Sequence, residues 1–177
     1  TLEKIKNSKV ISDPFPHYYI KNIFHPDLYS KLVEYWPDKK HFDTQSVAAG
    51  SECGEQKANL REVLLTQDTY LVSEKKDQRD FWFNFDQFIN GKKFVDALFY
   101  KNRKTIRNIR NDLKNSLTIT PHTTLDYSYD GFGVPPHLDH YQYLLTAVFY
   151  TPTTYSKKNL GTSVLSPKES LKSARKG

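Results

Sequence analysis

Apolar positions along this chain follow a helical period first and a strand period later. Leu28, Leu32, Val33 and Trp36 fall at i, i+4, i+5 and i+8, one face of a helix. Pro26-Asp27 opens that helix with a proline and an early acid in the first turn, and Pro37 closes it. Phe81, Trp82, Phe85, Phe88 and Ile89 form a second helical stripe over residues 79–89, which Asn90-Gly91 ends. Phe94, Leu98, Ile106, Ile109 and Leu113 predict a third helical stretch to about residue 114, with a break near Asn102. An aromatic stripe at this spacing belongs to a core rather than to a ligand site. Before these helices, residues 1–13 read as an arm or opening strand, and the aromatic, β-branched run 16–24 reads as a strand. Residues 38–58 have no period and read as a loop, and 60–65 is a short apolar run of undecided type.

From Leu117 the grammar changes. Leu117-Thr-Ile-Thr-Pro and Thr123-Thr-Leu-Asp-Tyr-Ser-Tyr129 are β-like, Asp130-Gly-Phe-Gly133 is a turn, and residues 141–150 and 160–165 read as further strands. Residues 166–177 are polar and basic, a loop or tail. Helices followed by consecutive strands predict an α+β domain with helices packed on one face of an antiparallel sheet system.

Composition narrows the classes. A length of 177 residues suggests one domain able to bury a core. No apolar run reaches the ~18 residues that span a bilayer, and no leader-like apolar segment opens the chain. One cysteine, Cys53, excludes an internal disulfide, fits a reducing compartment and has acidic neighbours, Glu52 and Glu55, that disfavour a thiolate. A cytoplasmic protein without a membrane partner is the expectation. The net charge of +6 suits a solvated basic surface or an anionic partner.

The chemistry concentrates in Tyr127-Ser-Tyr-Asp-Gly-Phe-Gly-Val-Pro-Pro-His137-Leu-Asp139-His140. On an extended segment, residues i and i+2 point to the same side, so the His137 imidazole and the Asp139 carboxylate can reach one metal ion. One nitrogen donor and one hard carboxylate are two-thirds of a 2-His-1-carboxylate triad, which holds non-haem Fe(II) and leaves positions open. His140 points away from Asp139 on such a segment and reads as a rim residue.

Residues 117–165 resemble the Fe(II)/2-oxoglutarate dioxygenases, in particular the prolyl-4-hydroxylase-like branch. The ordered features are Tyr127, Gly131 and Gly133, His137-Leu-Asp139, Leu145-Thr-Ala-Val-Phe-Tyr150 and Leu160-Gly-Thr-Ser-Val-Leu165. Asp13-Pro-Phe-Pro-His17 and the helix beginning at Pro26-Asp27 are similar to the family's opening. The resemblance implies a double-stranded β-helix (jelly-roll) core over 116–165, a helical support region over 1–115 and a tail over 166–177, in one domain of 1–177. It implies His137 and Asp139 as iron ligands, with Tyr127, Thr146 and Tyr150 on the 2-oxoglutarate co-substrate. The implied reaction uses O₂ to hydroxylate a substrate that the sequence does not name, releasing succinate and CO₂.

The chain departs from the family pattern at its end. No histidine follows His140, and no strand-like segment after residue 165 carries an arginine or lysine for the distal carboxylate of 2-oxoglutarate. The expectation is that the last jelly-roll strands are missing from these 177 residues. Two readings compete with the oxygenase: a catalytically inactive jelly-roll scaffold, and a basic nucleic-acid-binding protein built on the Lys/Arg-rich stretch 92–114, which lacks a recognition motif. A metallohydrolase would need an upstream His-x-His, which the chain lacks.

Overall fold

In this computed structural model, residues 1–44, 61–109, 119–128, 139 and 143–151 are described. Helix α1 (Leu2–Asn7) opens the chain where an arm or strand was expected. Six residues do not hold a helix in water alone. Ile5 anchors this one in the core at 2% exposure, and the Lys101 ammonium donates to the carbonyls of Lys6 and Ser8 at its end, 2.6 Å each.

The predicted strand over 16–24 does not form. Ile11 and His17 make an isolated antiparallel bridge, and no strand follows it. Pro14 and Pro16 supply no N–H to a ladder, and Asn22 turns the chain with φ at 50°. The β-branched and aromatic residues of this run serve packing instead: Phe24 is buried in the core, while Tyr19 is exposed.

Helix α2 (Pro26–Glu34) starts where the proline and the early acid place it, and the His25 ring accepts from the Asp27 N–H at 3.3 Å. Its apolar face buries Leu32, with Leu28 and Trp36 half-buried beside it. A three-stranded antiparallel sheet follows, in the order β1 (Asp43–Thr44), β2 (Arg61–Leu65), β3 (Thr124–Ser128). The described part of the undecided run 60–65, Arg61–Leu65, is thus the central strand, so the support region 1–115 contributes sheet as well as helix. A 3-10 turn (Thr66–Asp68) leads into the short α3 (Thr69–Val72).

Helices α4 (Lys76–Ile89) and α5 (Lys92–Ile109) carry the aromatic stripe and the apolar stripe that follows it. Gly91 separates them, and the reason is steric: a Cβ there would lie 2.3 Å from the Gln87 carbonyl oxygen. The break expected near Asn102 is absent. Asn102 is buried, and its side-chain amide donates to the Leu98 carbonyl one turn back at 2.8 Å, so the polar group is satisfied inside an unbroken helix.

Leu64 pairs with Leu125 across the sheet, and both join Trp82, Phe85, Ile89 and Phe94 in one core cluster. Helices therefore pack on one sheet face, an α+β arrangement. Val63 points to the opposite face by strand alternation and is also buried, at 5% exposure, outside that cluster. No buried side-chain polar atom among the described residues lacks a hydrogen-bond partner.

The strand expected over 141–150 is not formed in its described part: residues 143–151 belong to no strand. A strand needs a neighbour's ladder, and among the described residues none pairs with this segment. Residues 119–121 likewise hold no regular structure. The turn at 130–133, the strand at 160–165, the tail 166–177, the helix continuation past 109 and most of the loop 38–58 lie outside the described residues.

Candidate metal centre

Strand β3 is built by the alternation Leu125 in, Asp126 out, and by its register on β2. Cross-strand partners share a face. Leu64 with Leu125 and Glu62 with Tyr127 therefore line the helix-facing side, while Val63 with Asp126 lines the other. Tyr127 sits accordingly: its ring meets the buried Phe42 edge-on at 6.2 Å, and it remains 38% exposed. Asp126 accepts from the Thr124 hydroxyl at 2.9 Å.

Residues 143–151 reach the core through Phe149. Its ring lies 5.2 Å from Phe24 and 6.3 Å from Phe94. Thr146 and Tyr150, on either side of this anchor, are exposed. The same segment meets Asp139: the Thr146 hydroxyl donates to Asp139 Oδ2 at 2.5 Å.

That contact engages the Thr146 hydroxyl. A threonine hydroxyl has one proton to donate. Given to Asp139, it cannot also be given to a co-substrate carboxylate. Thr146 thus fixes one oxygen of the Asp139 carboxylate. Of the five residues singled out from sequence, the structure brings Asp139 and Thr146 together. Tyr127 is placed by Phe42, Tyr150 stands exposed beyond Phe149, and His137 lies outside the described residues, as does His140.

The donor set of one carboxylate and one imidazole suits a borderline divalent ion such as Fe(II). Among the described residues no group of three His, Cys, Asp or Glu side chains is arranged to hold a metal. His122 is exposed and lines a cleft of about 30 Å³ with Thr66, Asn90 and Thr123.

That cleft borders a polar joint which sequence reasoning missed. The Thr66 hydroxyl donates to Asp86 Oδ1 at 2.7 Å, the Asn90 amide donates to the same oxygen at 2.8 Å, and the Thr123 hydroxyl donates to Asn90 Oδ1 at 2.5 Å. It ties the end of β2 and the approach to β3 onto α4. Asn90 was legible as a helix stop, but four polar residues spread over 57 positions carry no local pattern. No helix of the described residues is long and apolar enough to cross a membrane. No protein-family model, curated protein or solved structure matches this chain.

Proposed function

We propose that this chain belongs to an Fe(II)- and 2-oxoglutarate-dependent oxygenase, with a jelly-roll core in which His137 and Asp139 hold the metal. The observation that carries the reading is the Thr146–Asp139 hydrogen bond, which links the His-x-Asp motif to the segment that follows it in the family pattern. The burial of Val63 on the sheet face away from the helices supports a second layer there, as a double-stranded β-helix requires.

The iron would supply a Lewis-acidic site where 2-oxoglutarate and O₂ react to hydroxylate a substrate. The chain's own contribution is placement. Asp139 and His137 provide two donors, and Thr146 holds the Asp139 carboxylate in one orientation. Tyr150 and Tyr127 enter as co-substrate contacts on the family resemblance.

Anaerobic Fe(II) titration tests the reading. His137→Ala and Asp139→Ala should each abolish the stronger binding, and equal affinity in all three proteins overturns it. Thr146→Val should weaken Fe(II) binding by about 10- to 100-fold, the usual cost of losing a group behind a ligand, with Thr146→Ser restoring it. A Thr146→Val protein with normal Fe(II) affinity and weakened 2-oxoglutarate binding would return Thr146 to the co-substrate. Succinate formation, measured with a His137→Ala control, then separates an active oxygenase from an inactive scaffold.

A further inference from the structure

Helix α5 holds six Lys or Arg residues and one acid, Asp96, a net charge of +5 in 18 residues. The whole chain carries +6. The positive charge is therefore concentrated in segments rather than spread evenly: α5 is one, and residues 157–177 carry a further +5.

The helix also sorts these charges. Phe94 and Ile106 are buried and Leu98 packs beside them. Lys93, Tyr100, Arg103, Lys104 and Arg107 follow i, i+3, i+4 and i+7 spacing around the opposite face. That row extends about 21 Å along the axis. Asp96, the one acid within it, is engaged by the Lys92 ammonium. Among the described residues, Lys93, Arg103, Lys104 and Arg107 form no ion pair. Tyr100 is 66% exposed, and the Arg103 guanidinium lies 3.6 Å from the centre of its ring.

A row of unpaired cations along one axis fits a polymer of regularly spaced negative charge. The Tyr100–Arg103 stack adds a flat, cationic platform of the kind on which an unpaired base stacks. A lipid surface fits less well, because the apolar face that would enter it is already committed to the core. We propose that the outer face of α5 binds single-stranded nucleic acid, its cations tracking the phosphates and Tyr100 with Arg103 receiving a base. This inference is independent of the metal centre, which lies on other elements.

The experiment uses the whole chain and a fluorescent oligothymidylate of about 16 nucleotides, enough to fill a typical site, with binding read by anisotropy. Neutralising four phosphates gives a log–log salt slope of roughly −3 for a single strand. Reversing Arg103, Lys104 and Arg107 together to Glu should cost more than tenfold in affinity and flatten the slope to roughly −1. Tyr100→Ala should cost about fivefold or more and leave the slope unchanged, because stacking releases no counterions. Tyr100→Phe should bind as the parent does. The far-UV spectrum and unfolding midpoint check that these surface changes leave the fold intact. If the triple variant unfolds, Lys104→Gln and Arg107→Gln singly carry the charge test. The proposal is overturned if the parent does not bind at low salt, or if the charge variants bind as the parent does. It is also overturned if Tyr100→Ala is neutral while duplex DNA, or vesicles of phosphatidylserine and phosphatidylcholine, bind as tightly as the oligonucleotide.

Discussion

Around Trp82 each aromatic ring meets several others, whereas of residues 143–151 only Phe149 packs against the core cluster. Trp82 is fully buried, touches Trp36, Phe81 and Phe85 in edge-on geometry, and donates its indole N–H to the Tyr35 carbonyl at 2.7 Å. The segment that meets Asp139 has Thr146, Val148 and Tyr150 exposed around its one anchor. Among the described residues, the helical layer holds the dense ring packing, and the segment that meets Asp139 joins it through Phe149. Functional segments are commonly drawn from the less stable end of a structure, since ligands and substrates must enter there.

The contrast is broken most directly at Trp82. Trp82→Ala should destabilise the whole protein by about 3–5 kcal/mol, the range for emptying a fully buried aromatic site, read by urea unfolding. A loss below about 1 kcal/mol would place the molecule's stability elsewhere.

The polar joint comes next. Asn90→Ala removes the acceptor of the Thr123 hydroxyl and one donor to Asp86. Leaving such partners unpaired costs about 1–3 kcal/mol. Hydrogen exchange should show the loss concentrated at the end of β2 and the start of β3. A uniform loss over α4 and α5 would mean that the joint only caps the helix.

Phe149→Ala sharpens the comparison from the other side. The ring is half-buried, so the global cost should be about 1–2 kcal/mol, below that of a fully buried phenylalanine. The local cost should be larger: proteolysis should begin within 139–151, and Fe(II) affinity should fall although no ligand has changed. If the segment stays protected and Fe(II) affinity holds, Phe149 is not its anchor.

The helical layer was legible in sequence because its signals are local. Leu28 to Trp36 and Phe81 to Ile89 repeat at the helical period, Pro26 opens α2, and Gly91 marks a junction where any side chain would strike the Gln87 carbonyl. The misread segments are those whose state is set by distant partners. Residues 16–24 are a local exception: their side chains are strand-forming, but Pro14 precedes them, Pro16 opens them and Asn22 turns left-handed within them. The run 60–65 looked undecided because Val63 on one face and Leu64 on the other are both buried, which blurs the alternation. At the candidate site, Asp139 was found from its spacing to His137. The one proton of Thr146 could not be allotted to Asp139 before the two were seen together.

The smallest expected effect lies where α2 meets α4. The Tyr35 hydroxyl donates to Asp77 Oδ2 at 2.9 Å, with both side chains near solvent. The bond holds the Asp77 carboxyl below its ordinary value of 3.8, helped by the Gln78 N–H, and lifts the Tyr35 phenol above 10.0. The signs follow from linkage. A depressed Asp77 contributes stability above its unfolded value and loses it as pH falls through the folded one. A raised Tyr35 contributes below its unfolded value and loses it as pH rises through the folded one. The pair is therefore fully effective across the neutral range and fades at both extremes. Tyr35→Phe should move the Asp77 titration, followed by carboxyl NMR, upward towards 3.8, and should shift the unfolding midpoint less than any substitution above. It also leaves intact the Tyr35 carbonyl that receives the Trp82 indole, so the aromatic layer should not respond. A midpoint shift as large as that of Phe149→Ala would show that polar contacts at the helix ends, rather than ring packing, distinguish the stable layer from the segment that carries the candidate site.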